Sequence, residues 1–262
     1  MRKIWQSVGR LFLFATSMLC TLTYAQEQGQ RVQFVACPIV RDTATVPCWL
    51  TRYDDTLYYM GIQSDVSADF QPPLQGHQVL VEGVVGSEMI CGGVVLEDIK
   101  VSTMPELDGS CNTMLPAEER YVIEVYPRPP GPSGGRLAFQ ANIDPPVLEP
   151  SVGQKTFTLY FDFDKGVTFR QPRDLTAIMS YAGEINATRV EIQAYYARHQ
   201  LSVGQALDEN PAVARRRAEQ LAELLQGAGL EAEFSVNWST TPRTGNGVED
   251  WRGRSAEVTV IP

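Results

Sequence analysis

The chain has 262 residues, a formal net charge of −9, 44% hydrophobic and 20% charged residues. That length allows one large domain or two modest ones with real cores. The acidic balance argues against a nucleic-acid partner.

Arg2, Lys3 and Arg10 precede an apolar run that starts at Leu11-Phe12-Leu13-Phe14 and fades by Thr23. The run is too short for the ~20 apolar residues of a spanning helix. With Thr23-Tyr24-Ala25 as a small-residue cleavage site, residues 1–25 read as a secretory signal peptide, so the mature chain is not expected to span a membrane. Its removal leaves a net charge of −12. Lipidation at Cys20 and an uncleaved anchor are the alternatives, but Ser17-Met18-Leu19 lacks the small residue a lipidation site needs.

Export suits the cysteines. Cys37, Cys48, Cys91 and Cys111 are an even set, all before residue 112. In an oxidising compartment they predict two disulfides, with three pairings open. Their spacing does not suit a zinc site. The absence of cysteine after Cys111 argues for two domains.

Residues 26–126 read as all-β. Strands are expected at 32–36, 48–53, 56–63, 78–85 and 94–103, all rich in Val, Ile, Leu and Tyr. Asp54-Asp55, Pro72-Pro73, Gly76, Gly86-Ser87 and Gly92-Gly93 separate them. Five short strands suit a small closed, OB-like barrel stapled by disulfides. A transmembrane barrel of eight tilted strands of ~10 residues would exhaust the span. Asp54, Asp55, Asp65, Asp69 and Glu82 read as solubilising charges in turns or on strand faces.

Residues 127–152, opening on Pro127-Arg128-Pro129-Pro130-Gly131-Pro132, read as an extended linker. The second domain, 153–262, starts with a strand in which Phe157, Leu159, Phe161 and Phe163 alternate onto one face. A helix follows from Pro172, with Leu175, Ile178, Met179 and Ala182 at helical spacing. Then come a strand at 189–195, a polar loop, a helix from Asn210-Pro211 to Gln226, and strands at 230–238 and 254–261. The β-α-β-α-β-β order predicts two helices layered on a sheet, in an α+β two-domain chain.

Three segments of this block carry a family resemblance. They are Phe161-Asp162-Phe163-Asp164, Asn210-Pro211-Ala212-Val213-Ala214-Arg215-Arg216-Arg217-Ala218, and Arg252-Gly253-Arg254-Ser255-Ala256-Glu257-Val258-Thr259-Val260. In that order they resemble the OmpA-like peptidoglycan-binding domain. The second is similar to the family's N-x-x-L-S-x-x-R-A, and the third to its closing R-N-R-R-V-E-V-T-V.

The resemblance implies a site for the diaminopimelate of the peptidoglycan stem peptide. In the family an Asp takes the ligand ammonium and the Arg of R-A takes its carboxylate through a planar fork. The Arg carries over to Arg217. The Asp position holds Ala197, and the loop to Asn210 is longer than the family's. Asp208 or Glu209, at the far end of that loop, are the candidates to fold back and replace the missing acid.

Arg254 is a further ligand-facing candidate, with a structural ion pair as the alternative. Tyr195 and Tyr196 could stack on a ligand or simply pack at the sheet end. Arg215 and Arg216 read as solvated helix residues. His77 and His199 read as surface histidines, too isolated for a metal set or a triad.

No G-x-S-x-G, H-E-x-x-H or phosphate-loop motif appears, so neither an enzyme nor a cofactor is expected. The functional expectation is a periplasmic protein, outer-membrane or cell-wall associated, that meets peptidoglycan or other envelope proteins. A protein-interaction module with wall binding lost is the second reading. The third is oligosaccharide or peptide binding by the N-terminal half.

Overall fold

The computed structural model describes residues 28–63, 70–124, 153–166 and 172–262. The expected signal peptide and linker, with Asp65 and Asp69, lie outside the described residues.

The first half forms β1 (Arg31–Ala36), β2 (Pro38–Arg41), β3 (Cys48–Tyr53), β4 (Thr56–Gly61), β5 (His77–Ile90), β6 (Gly93–Leu107) and β7 (Thr113–Leu115). All five expected strands are present. β2 and β7 were not expected, being too short to show a period. The sheet order is β1-β5-β6-β4-β3-β2-β7. β1 and β7 are its ends, so among the described residues the pairing does not close into the expected ring. The run from Arg31 to Arg41 bends at Cys37. Its first part pairs with β5 and its second with β3, antiparallel in both cases.

β4 and β6 pair in parallel through Tyr58↔Val94 and Tyr59↔Val95. Gly93 allows that approach: a Cβ there would stand 2.8 Å from the backbone of Tyr58 and Tyr59. The disulfides are Cys37–Cys111 and Cys48–Cys91, which selects one of the three pairings. The first ties the Cys37 bend to the segment ahead of β7, and the second ties β3 to the β5–β6 turn.

Alternation along the strands sorts the two faces. Val32, Phe34, Tyr58, Met60, Val79, Val81, Val85 and Leu96 make one core. Gln33, Glu82 and Lys100 alternate to the opposite face, and they are cross-strand neighbours on β1, β5 and β6. That polar row is where the second half sits.

The C-terminal half contains β8 (Lys155–Tyr160), α1 (Pro172–Ile185), β9 (Arg189–Ala194), β10 (Ala197–Gln200), β11 (Ala206–Asp208), α2 (Ala212–Gly227), β12 (Glu233–Trp238), β13 (Arg243–Thr244) and β14 (Ser255–Ile261). The main sheet runs β12-β9-β14-β8. Ile178, Tyr181 and Ala182 of α1 and Ala218, Leu221 and Leu225 of α2 pack on Leu159, Val190, Ile192, Val258 and Val260. This is the expected layer of two helices on a sheet. α2 starts as expected, with Asn210 Oδ1 accepting the Ala212 N–H at 2.9 Å. It stops before Gly229, which has φ +93°.

The expected polar loop after β9 is a hairpin. β10 and β11 pair antiparallel, and β13 joins β10 in parallel, making a second, three-stranded sheet. Asp250 anchors this addition. Its carboxylate accepts the backbone N–H groups of Gln200, Asn246 and Gly247. Among the described residues no helix is long and apolar enough to cross a membrane.

Candidate functional site

The site is built where α2 meets the ends of β8 and β9. Val213, Ala214, Arg217, Ala218 and Leu221 share the buried face of α2. Arg217 is therefore aimed inward, and it is fully buried. A guanidinium has five N–H donors, and here each has an acceptor. Nε donates to Lys165 O at 2.9 Å. Nη1 donates to Tyr195 O at 2.8 Å and Glu209 Oε2 at 3.0 Å. Nη2 donates to Asp162 O at 3.2 Å and to Glu209 Oε1. The Phe161 ring lies 4.7 Å from the guanidinium carbon. Burial pulls the Arg217 pKa down, and the Glu209 carboxylate opposes that pull.

Glu209 is the residue that folds back. It is 1% exposed, and it accepts four hydrogen bonds. Two come from Arg217. The others come from the backbone N–H of Ala197 and of Asp164, both at 2.8 Å. The carboxylate thus lies between Ala197, where the family Asp would be, and Arg217. It forks onto the arginine in the way a ligand carboxylate would. No N–H of Arg217 remains for an external group in this conformation.

Asp208 points elsewhere. It pairs with Arg198 across the β10–β11 hairpin through two 2.6 Å contacts, in solvent. Arg198 holds the Asp208 carboxyl below the usual range. Tyr195 is covered by Arg243, whose guanidinium carbon lies 3.3 Å from the ring centroid. Tyr196 is buried against Val213 and Ala214 and donates to Thr240 O at 3.2 Å. Arg215 pairs with Glu219 at 2.7 Å. Arg216 donates to Asp164 O at 2.9 Å.

Arg254 lies at a different junction. It is 2% exposed and meets the polar row of the first half. Nε donates to Phe161 O at 2.9 Å within its own half. Nη2 lies 2.7 Å from Glu82 Oε2 of β5. Nη1 lies 3.2 Å from His199 Nε2. Arg254 Nη1 and the Gln33 Nε2 amide group can both only donate, so a neutral imidazole accepts from one of them at a time. Nδ1 faces the Gln33 side-chain amide at 2.7 Å and Glu82 Oε1 at 3.6 Å.

Two expectations are corrected here. His199 is not a surface histidine: it is 0% exposed and packs edge-on against Phe163. Glu82 is not a solubilising charge: it is 6% exposed and faces an arginine of the other half. Burial pushes its carboxyl up, but Arg254 and His199 outweigh that and hold it below the usual range. The sequence placed Glu82 among charges in turns or on strand faces. It could not show that another layer covers its strand face.

Further polar contacts join the halves. Ser202 N donates to Gln33 O at 2.8 Å, and Gln33 N donates to Ser202 Oγ at 2.9 Å. Phe163 N donates to Ser102 Oγ at 3.0 Å. Two clefts flank Trp251 along this seam. One, of about 490 Å³, is lined by residues including Phe70, Lys100, Tyr160 and Arg254. The other, of about 210 Å³, is lined by residues including Arg31, Gln33, Glu82 and Arg252.

No protein-family model matches the chain, and no curated protein sequence matches it. Solved structures do. A protein described as MotB-like, from Desulfovibrio vulgaris, is 18% identical with a TM-score of 0.33, covering 42% of this chain and 76% of that one. The OmpA-like domain of FopA1 from Francisella tularensis is 17% identical with a TM-score of 0.32, covering 41% and 71%. The cell wall anchor of the T6SS from Pseudomonas aeruginosa is 19% identical with a TM-score of 0.29, covering 42% and 83%.

Proposed function

We propose that the chain is a non-enzymatic envelope protein whose OmpA-like C-terminal half is a protein-docking module, with Arg217 part of its frame and not of a stem-peptide site. The observation that carries this is the saturation of Arg217: five N–H groups meet five acceptors of its own half, two of them on Glu209. A stem-peptide carboxylate would have to displace a carboxylate that is itself held by two backbone N–H groups. The OmpA-like reading rests on the three motifs and the β-α-β-α-β-β order. The leader and the disulfides support a periplasmic location.

The N-terminal half supports an OB-like reading of the partly open kind. The bent run from Arg31 to Arg41 is shared between β5 and β3, and β4 runs parallel to β6.

Co-sedimentation of the mature protein with murein sacculi tests the proposal. Retention at background level is expected. Retention that free diaminopimelate competes away, and that Arg217→Ala abolishes, would overturn it.

A further inference from the structure

The two buried carboxylates are held differently. Glu209 accepts four hydrogen bonds from its own half. Glu82 accepts none: both its oxygens are buried without a hydrogen-bond partner, although Arg254 Nη2 is 2.7 Å away. The N–H directions miss the oxygens, so the contact is charge against charge. A charge contact without aligned donors fixes no bidentate geometry, so one carboxylate can take the place of another. The other bonds across the seam described above are also polar: Gln33 with Ser202 and His199, and Ser102 with Phe163. Polar interfaces of this kind suit contacts that come apart.

Solvent reaches the seam from both sides. Glu82 lines one cleft and Arg254 the other. The connection between the halves, residues 125–152, is long enough to let them separate, at up to about 3.3 Å per residue when extended.

We propose that the seam is a reversible clasp in which Glu82 is the internal occupant of a carboxylate-accepting surface centred on Arg254 and His199. When the halves part, the sheet face of a second protein, presenting a carboxylate, takes the place of Glu82. A sheet face is the partner because the surface is already shaped to one. Ser202 pairs with the backbone of β1, and Phe163 N–H meets a hydroxyl of β6. The inference rests on the docking-module reading and names the chemistry of its partner.

The test uses the full mature chain, with the chain itself as probe. Glu82→Lys places like charges across the seam. Solution scattering is expected to show a radius of gyration larger by roughly a quarter, as for two joined domains and not one body. Circular dichroism should be unchanged. Arg254→Glu should open the clasp in the same way. Mixed in equal amounts, the two variants restore opposite charges at both contacts in trans. The introduced lysine of one meets the introduced glutamate of the other, and the remaining native Glu82 meets the remaining native Arg254. A one-to-one complex is expected by sedimentation, with neither variant pairing alone.

An unchanged radius for Glu82→Lys would overturn the clasp. The absence of a mixed complex, with both variants folded and open, would overturn the surface as a docking site. Should Arg254→Glu fail to fold, Arg254→Asp, which places the same like charge against Glu82, replaces it in the mixture with Glu82→Lys, and the absence of a complex between the folded, open pair would overturn the docking surface equally. No arm involves murein, so failure here is distinct from failure of the sacculus experiment.

Discussion

Glu209 and Glu82 each place a buried carboxylate beside a buried arginine, one within the C-terminal half and one between the halves. At Glu209 both partners arise from neighbouring elements of one unit, and the backbone of Ala197 and Asp164 completes the shell. At Glu82 the partners come from separate units, and no donor is aligned. The first arrangement is a lock that the unit's own folding assembles. The second joins the two halves, and the proposed clasp has it lost while each half stays folded. Distance alone would rank the two pairs as similar; the hydrogen-bond shell separates them.

Breaking the lock should have the largest effect. Glu209→Ala leaves Arg217 buried with two unmatched N–H groups, a loss of about 3–5 kcal/mol for a buried pair missing one partner. Denaturant unfolding of the C-terminal half would show it. A loss no greater than that of Glu82→Ala would erase the contrast.

The disulfides come next, because only the first half has them. Replacing Cys48 and Cys91 by Ser opens a 43-residue separation and should cost about 2–4 kcal/mol in that half alone. Hydrogen exchange resolved by segment should show faster opening of β3 to β6 and unchanged protection in α2.

Acid sharpens the seam. The folded-state carboxyl of Glu82 lies below its ordinary value of 4.5. Its contribution is therefore complete above that value and is lost as pH falls through the lowered folded one. Seam amides such as Ser202 and Phe163 should lose protection on that acid limb. Glu82→Gln should weaken them at neutral pH and remove the limb.

Asp208→Ala should have the smallest effect. Its pair with Arg198 is exposed, and such pairs contribute little. The unfolding midpoint should not move.

Much of the architecture is a local property of the chain. The Val- and Tyr-rich runs form β1 and β3 to β6 because β-branched and aromatic side chains fit a half-buried pleated surface. Asn210-Pro211 and Gly229 bound α2 because their chemistry suits helix ends. The motifs single out Arg217, and the missing family Asp makes Glu209 a candidate from sequence alone. β2 and β7 left no signal, since strands of four and three residues show no period.

The sequence by itself determined the elements, the two-helix layer, the set of cysteines and the position of the key arginine. Only the tertiary structure decided what those residues face. It paired the cysteines, turned an expected loop into the β10–β11 hairpin that delivers Glu209, and covered the polar face that carries Glu82. The physical reason is range. Propensity, capping and alternation act over a few residues, whereas an ion pair between Glu82 and Arg254 depends on how two layers far apart in sequence meet. That meeting also settles the arginines. Arg217 is closed from within its own half, and Arg254 is closed only for as long as the two halves stay together.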